Sequence, residues 1–412
     1  MTAVPEQFPS RISFAEAERI VDRVAETARV SVERIALSHA LGWILAEDLV
    51  AQIDLPGFDN SAMDGFALRS ADLQLVQADF LTLVGEQFAG IANGIEVGAG
   101  QCVRITTGAP MPRGADTVVI KEDVRLDGER VVFAGLVHAG AHVRHAGEDV
   151  RAGDVVLRAG QVLTPARLSL AAALGRHDLP VFRRPTVAVF TSGDEIKSPG
   201  LPLAPGEIYD SNRVLLQTLL IADGFEPVAW PVLPDDPARI EAALRDAAFS
   251  FDVVITCGGV SAGEKDFLPA LLRGQGEVHF WKVRMRPGMP VLFGRLGQAQ
   301  MLCLPGNPVS VFATYLTLAR RCLDGMQGRG EARPRQFARI ALPIEKKHER
   351  LEFLRGNLDC DPNGQWHVMP NPADGSHRLL AAAQANALIV LPEGAGQWPQ
   401  GSVLQVLPLQ AY

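Results

Sequence analysis

Five cysteines in 412 residues (Cys102, Cys257, Cys303, Cys322 and Cys360) are few and scattered. Their number is odd and no C-x-x-C pair occurs, so neither a disulfide framework nor a zinc site is indicated. Long apolar runs are also missing. The most apolar stretch, 379–391, is interrupted by Gln384 and Asn386 and is too short to span a bilayer. No basic segment followed by an apolar core opens the chain, so no secretory signal is read. A positive excess is lacking too, since the formal net charge is −8. That balance argues against nucleic-acid or membrane-surface binding, and any anion site must come from locally placed basic residues. A reducing cytoplasm is the expected location.

The length allows two to four domains with sizeable cores. From residue 185 onward strands and helices alternate. Strands are predicted over 186–191, 227–232, 252–256 and 301–304, and helices over 212–222, 237–248 and 308–322. This pattern predicts a doubly wound parallel sheet. Its strand ends carry polar loops that can converge on one pocket: 191–195 with Glu195, 304–308 with Pro305 and Pro308, and the turn holding Asp235 and Asp236. The most telling is 256–266, where Gly258, Gly259 and Gly263 let backbone N–H groups approach a phosphate or another anion. Glu264 and Asp266 in that loop suit Mg²⁺ or a general base. An ordinary glycine-rich turn with solvated acids is the plain alternative. Between the third and fourth strands, 277–296 reads as a β-hairpin insert. Its Lys282, Arg284 and Arg286, spaced by two, would share one strand face and form an anion site or a solvated edge.

Before this region, Ser13 caps a helix over 14–24 with Glu16 completing a capping box. A short helix or turn covers 38–41. The stretch 55–68 is dense in turn formers yet carries Phe58, Met63 and Phe66, which reads as a docking loop with Asp59, Asn60, Ser61 and Asp64 at its polar tips. Short β runs at 80–84, 101–105, 117–120 and 130–133 predict a small, mostly β domain. Within it, Thr106 and Thr107 precede a Gly/Pro loop and are read first as turn caps. His138, His142 and His145 read as exposed loop histidines, because Gly140 and Gly147 spoil a helix that would align them on a metal. Pro165 opens a helix that Gly175 ends. After a linker rich in Gly and Arg at 325–334, the remainder, 337–412, has five short β runs and predicts a small β-barrel or sandwich.

Five motifs occur in order: 58–65 (FDNSAMDG), 107–110 (TGAP), 193–195 (GDE), 258–261 (GGVS) with Asp266, and 304–309 (LPGNPV). Together they resemble the MoeA family of molybdopterin molybdenumtransferases, whose eukaryotic relatives include the gephyrin E domain. The resemblance covers nearly the whole chain. It implies a multidomain α/β plus β protein in four parts. These are a discontinuous linking and dimerisation domain (1–50 and 148–178), a small β domain (51–147), a MoaB/Mog-like α/β molybdopterin-binding domain (179–328) and a C-terminal β-barrel-like domain (329–412). It also implies a homodimer whose sites are shared between subunits, a reaction that uses adenylylated molybdopterin and molybdate and releases AMP, and assistance by Mg²⁺. By the same resemblance Asp59, Thr107, Glu195, Asp235 and Asp266 are catalytic candidates, with Glu195, Asp235 and Asp266 as metal candidates. Asp149 (in an Arg-x-x-Gly-Glu-Asp element), Gly258, Gly259, Ser261, Lys282, Arg284, Arg286, Pro305, Pro308, Arg350, Arg355 and Ser376 are binding candidates. The molybdopterin adenylyltransferase is an expected partner as well as a competing identity, and a non-enzymatic scaffold is the alternative of another class. One departure stands out: Met289 replaces a lysine frequent in the family's Lys-Pro-Gly-Lys-Pro run.

Overall fold

The computed structural model describes residues 8–72, 80–134, 137–260, 267–371, 375 and 377–409. Ser261, Asp266 and Ser376, together with Gly263 and Glu264, lie outside the described residues. The largest sheet has seven strands: β1 (Ser10–Ile12), β2 (Val187–Thr191), β3 (Val228–Ala229), β4 (Val253–Cys257), β5 (Glu277–Val283), β6 (Leu292–Leu296) and β7 (Ala299–Leu304). Their spatial order is β1-β5-β6-β7-β4-β2-β3. Every pairing is parallel except the two made by β6. The hairpin over 277–296 is therefore part of the sheet rather than an insert. Phe280, Leu292 and Phe293 are fully buried there, which a protruding hairpin would not allow. The strand read over 227–232 shrinks to β3, because Pro231 has no N–H to donate to a ladder.

Helices cover both sheet faces. Val187, Val189, Val253 and Ile255 meet α1 (Phe14–Thr27), α2 (Ser211–Ala222) and the helical stretch 308–326. Ala188, Phe190 and Val254, one residue out of phase, meet α3 (Pro237–Ser250) and α4 (Leu268–Gln275). Burial on both faces explains why these strands read as continuous apolar runs. The stretch 308–326 is α5 (Pro308–Thr314), a π turn (Tyr315–Ala319) and α6 (Arg320–Met326). At the irregularity the buried Tyr315 hydroxyl donates to Asp223 at 2.7 Å. The chain runs from β2 outward to β3, then crosses to β4 on the other side of β2. That reversal leaves a crevice at the carboxyl ends of β2 and β4, where α/β sheets hold ligands.

Residues 10–27 sit in this unit, since β1 pairs with β5 and α1 packs on the sheet. This differs from the expectation that residues 1–50 group with 148–178. The linking unit proper joins Val32–Ala36, Ile44–Leu45 and Asp178–Phe182 in one small sheet, with the helix Pro165–Ala173 over Leu45, Leu163 and Leu179. The small β domain has a six-stranded sheet that includes Gln101–Ile105, Thr117–Ile120 and Arg130–Phe133. The C-terminal unit is a closed five-stranded barrel of β8 (Gln336–Ile340), β9 (Leu351–Cys360), β10 (Trp366–Pro370), β11 (Ala387–Leu391) and β12 (Val403–Pro408), since β11 pairs back onto β9. Met285–Arg286 adds in parallel to Leu351 and Glu352 of β9. Main-chain bonds thus join the large sheet unit to the barrel beside the crevice.

Candidate active site

A cavity of about 970 Å³ opens at the carboxyl end of the large sheet, walled on its far side by the barrel. Glu195 lines it from the turn after β2. Gly193 has φ +146, and a Cβ there would lie 2.4 Å from a Glu195 carboxylate oxygen. The carboxylate is therefore folded over a glycine and depends on that residue having no side chain. Gly258 and Gly259, at φ +98 and +68, line the cavity after β4. The Gly258 N–H donates to Leu304 O at 3.1 Å, and Asn212 Nδ2 donates to Gly306 O at 2.7 Å. The first bond holds the glycine turn against the end of β7 beside Pro305, and the second ties the start of α2 to the Pro305–Gly306 turn. Pro305 lines the cavity; Pro308 instead starts α5, placing Val309 and Ser310 on the wall. Asp235 does not line it. Its N–H donates to Asp194 at 3.1 Å, so its loop adjoins the Glu195 turn.

Lys282, Arg286, Arg350 and Arg355 bring four expected cations to this cavity, and Arg284 is not among its lining residues. The predicted single row of Lys282, Arg284 and Arg286 is thus corrected. Lys282 has φ +68, which breaks the strand alternation, and β5 stops at Val283. Arg284 turns to Glu393, donating at 2.9 Å. Arg286 approaches Glu352, with Nε 3.5 Å from Oε1. His348 Nε2 lies 3.2 Å from the other oxygen of the same carboxylate. Burial pushes the His348 imidazole below its ordinary value against the pull of Glu352, and Arg286, Arg350 and Lys346 add to the lowering. Arg355 is 3% exposed, and its guanidinium donates to Gly375 O and Arg378 O at 3.1 and 3.2 Å. Sequence reasoning missed Arg11, Glu352 and His377, which also line the cavity. It also missed Asp210, the buried N-cap of α2, which accepts from Thr191 Oγ1 at 2.6 Å beneath the crevice. The acid just before a helix start was a readable signal for Asp210.

Asp59, Thr107 and Asp149 gather elsewhere. Asp149 lines a second cavity of about 890 Å³, with Phe58, Asn60, Gly108 and Arg144, and among the described residues none lines both cavities. Asp59 accepts from Ala146 N–H at 2.7 Å and faces His145 Nδ1 at 3.3 Å. The Ala146 N–H is the main reason its carboxyl sits below the ordinary range. Thr107 donates through both N–H and Oγ1 to Asp64, at 2.8 and 2.9 Å, which is the turn-capping role. Phe58 and Met63 at this loop are 50% and 41% exposed. Among the described residues no group of three metal-binding side chains occurs, and His145 is engaged with Asp59. Cys257 is buried beside the glycine turn, and burial pushes its thiol up, so it supplies no thiolate.

Three family profiles match the chain in order. The MoeA N-terminal region (domain I and II) matches residues 12–175, a probable molybdopterin binding domain 188–324, and the MoeA C-terminal region (domain IV) 338–409. The molybdopterin molybdenumtransferase of Haemophilus influenzae is 39% identical over 379 residues, 91% of this chain and 93% of that protein. Molybdopterin molybdenumtransferase 2 of Mycobacterium tuberculosis is 38% identical over 407 residues, 96% of this chain and 99% of that protein. The crystal structure of a molybdopterin biosynthesis MoeA protein from Pyrococcus horikoshii superposes with a TM-score of 0.81 at 28% identity, covering 96% and 99% of the two chains.

Proposed function

The chain belongs to the MoeA family, and on that premise we propose that it is a molybdopterin molybdenumtransferase. It transfers molybdenum from molybdate to adenylylated molybdopterin with release of AMP. The observation that carries this reading is the cavity at the sheet's crevice, where two glycine-bearing strand ends meet Lys282, Arg286, Arg350 and Arg355. Backbone N–H groups with arginine and lysine suit phosphate and oxoanion oxygens.

Release of AMP breaks a P–O bond of the phosphoanhydride as a water oxygen bonds to the AMP phosphorus and gives up its proton, and the leaving phosphate oxygen gathers negative charge. Lys282 and Arg286 are placed to counter that charge, and Arg350 and Arg355 to hold oxoanion oxygens from the barrel side. Glu352 keeps Arg286 against the wall. Glu195 is the carboxylate of the sheet side. Mg²⁺ takes one or two carboxylates plus substrate phosphate oxygens, so Glu195 would hold it at the cavity, and Asp235, whose loop adjoins the Glu195 turn, and Asp266 are further candidates by family resemblance. When bound, that ion supplies charge neutralisation at the phosphate.

The working unit is a homodimer. Asp59 lies on a loop with exposed Phe58 and Met63, Thr107 is bonded to Asp64 of that loop, and Asp149 lines the second cavity beside Phe58 and Asn60. This arrangement supports a loop that docks on a second copy and completes the partner's large cavity. Molybdate-dependent AMP release by the native chain, Glu195→Gln and Asp59→Asn is the test, with each variant expected to be impaired. In a random mixture of the two variants, half of the dimers pair one with the other, and one of their two sites is intact. The mixture should recover about a quarter of native activity. No recovery removes the shared site; adenylate synthesis from ATP in place of AMP release removes the reading itself.

A further inference from the structure

Arg11 and Lys282 stand opposite each other in the ladder between β1 and β5. The register pairs Ser10 with Trp281 and Ile12 with Val283, which leaves these two residues side by side. Both have left-handed backbone, with φ +54 and +68. A residue with a side chain is disfavoured there, and a glycine is not. The effect on β5 is visible in its packing. Phe280 and Val283 enter the same core although they are three residues apart, so the alternation of β5 is broken at Lys282, while the register with β1 stays unshifted. The left-handed backbone takes Lys282 out of the strand alternation, and both Lys282 and Arg11 line the large cavity.

The surroundings fix what this pair faces. Lys282 Nζ lies 3.8 Å from the centre of the Trp281 ring. Trp281 Nε1 donates to Val260 O at 3.0 Å, one residue beyond Gly258 and Gly259. The two cations therefore adjoin the glycine turn, whereas Arg350 and Arg355 belong to the barrel side. Bonds from Trp281 N–H to Pro9 O and from Arg284 N–H to Ile12 O bracket the pair on either side. Two like charges on neighbouring ladder positions repel, unless an anion lies between them.

We propose that Arg11 is a substrate-binding residue that forms, with Lys282, a two-cation clamp on a phosphate group of the nucleotide-bearing substrate. The inference rests on the molybdenum-insertion reading above and names the residue that would grip its phosphate on the sheet side. The left-handed backbone at both positions aims the two cations at one anion.

The test uses the full chain with Arg11→Gly and Arg11→Ala, AMP and molybdate as separate probes in titration calorimetry, and thermal unfolding. Arg11→Gly is expected to raise the melting temperature by relieving the backbone while weakening AMP binding about 10- to 100-fold. Arg11→Ala is expected to weaken AMP binding equally without that gain. Molybdate affinity should stay within about twofold of native in both. Unchanged AMP affinity in the folded variants, or native protein that binds no AMP, overturns the clamp. Lost molybdate affinity with AMP affinity intact overturns the phosphate assignment. AMP release by the native chain is measured alongside: if it proceeds while the variants bind AMP normally, this inference alone fails, and if it does not proceed, the underlying reading fails.

Discussion

Glu331 lies in the connection between the last helix of the α/β unit and the barrel, and its replacement by Gln measures how firmly that connection is held. Arg167, in the helix Pro165–Ala173, donates to it twice, at 2.8 and 2.5 Å, and Val162 N–H donates at 3.0 Å. The neighbouring Gly330 N–H donates to Gly160 O at 2.9 Å, where a Cβ on Gly160 would press on Gly330. Arg167 above all, with the Val162 N–H, drives the Glu331 carboxyl from its ordinary 4.5 to about 2. Taken whole, that displacement corresponds to roughly 3 kcal/mol. The Glu331 side chain is 33% exposed, and solvent screening reduces the expected loss to about 1–2 kcal/mol. For a chain of this length such a loss lowers the melting temperature by about 2 °C. The sign with pH follows from the depressed folded value. The stabilisation is fully present above the unfolded value of 4.5 and is lost as pH falls toward 2. The difference between native and Glu331→Gln, measured by calorimetric unfolding, should be largest at pH 7 and shrink by more than half near pH 3. A variant that melts with the native chain at pH 7, or a difference that does not change with pH, refutes this account.

Gly193→Ala should displace the Glu195 carboxylate and lower molybdate-dependent AMP release by roughly tenfold or more. Gly364→Ala, also at positive φ but facing open space, should leave that release unchanged, and equal rates in the two would undo the argument. Ellman's reagent at pH 8 should label one thiol of the native chain, because Cys360 is exposed and the other four are buried. Burial pushes Cys102, Cys303 and Cys322 up to about 12. Rapid labelling of a second thiol without unfolding would contradict this packing.

Much of the scaffold was legible because local signals agreed with tertiary packing. The Ser13 cap and the Pro165 and Gly175 boundaries matched the observed helices closely. Three strands of the small β domain, Gln101–Ile105, Thr117–Ile120 and Arg130–Phe133, have the bounds their periodicity predicts. β1 was not legible, since three residues carry no measurable period and its partner strand lies far along the chain. The cation row failed for a different reason. Spacing by two assumes a continuous strand, and nothing in composition marks a lysine as left-handed where glycine or asparagine is the usual signal. Arg350 and Arg355 entered through family resemblance; their meeting with Glu195 depends on how the barrel seats against the sheet, which no local pattern encodes.

The pairing of β1 with β5 has a practical consequence for dissecting this protein. The stretch 188–324, which the molybdopterin-binding profile matches, looks like a cassette that can be cut out and used alone. It would lack the outermost strand of its sheet and the helix that shields Val283 and Phe280. Such a fragment would present a raw apolar face and an open edge, and is expected to aggregate. Adding back residues 8–28 as a separate peptide should restore its solubility. Trimming or tagging near residue 10, however remote it looks on a linear map, changes the wall of a cavity whose other side is built by the barrel.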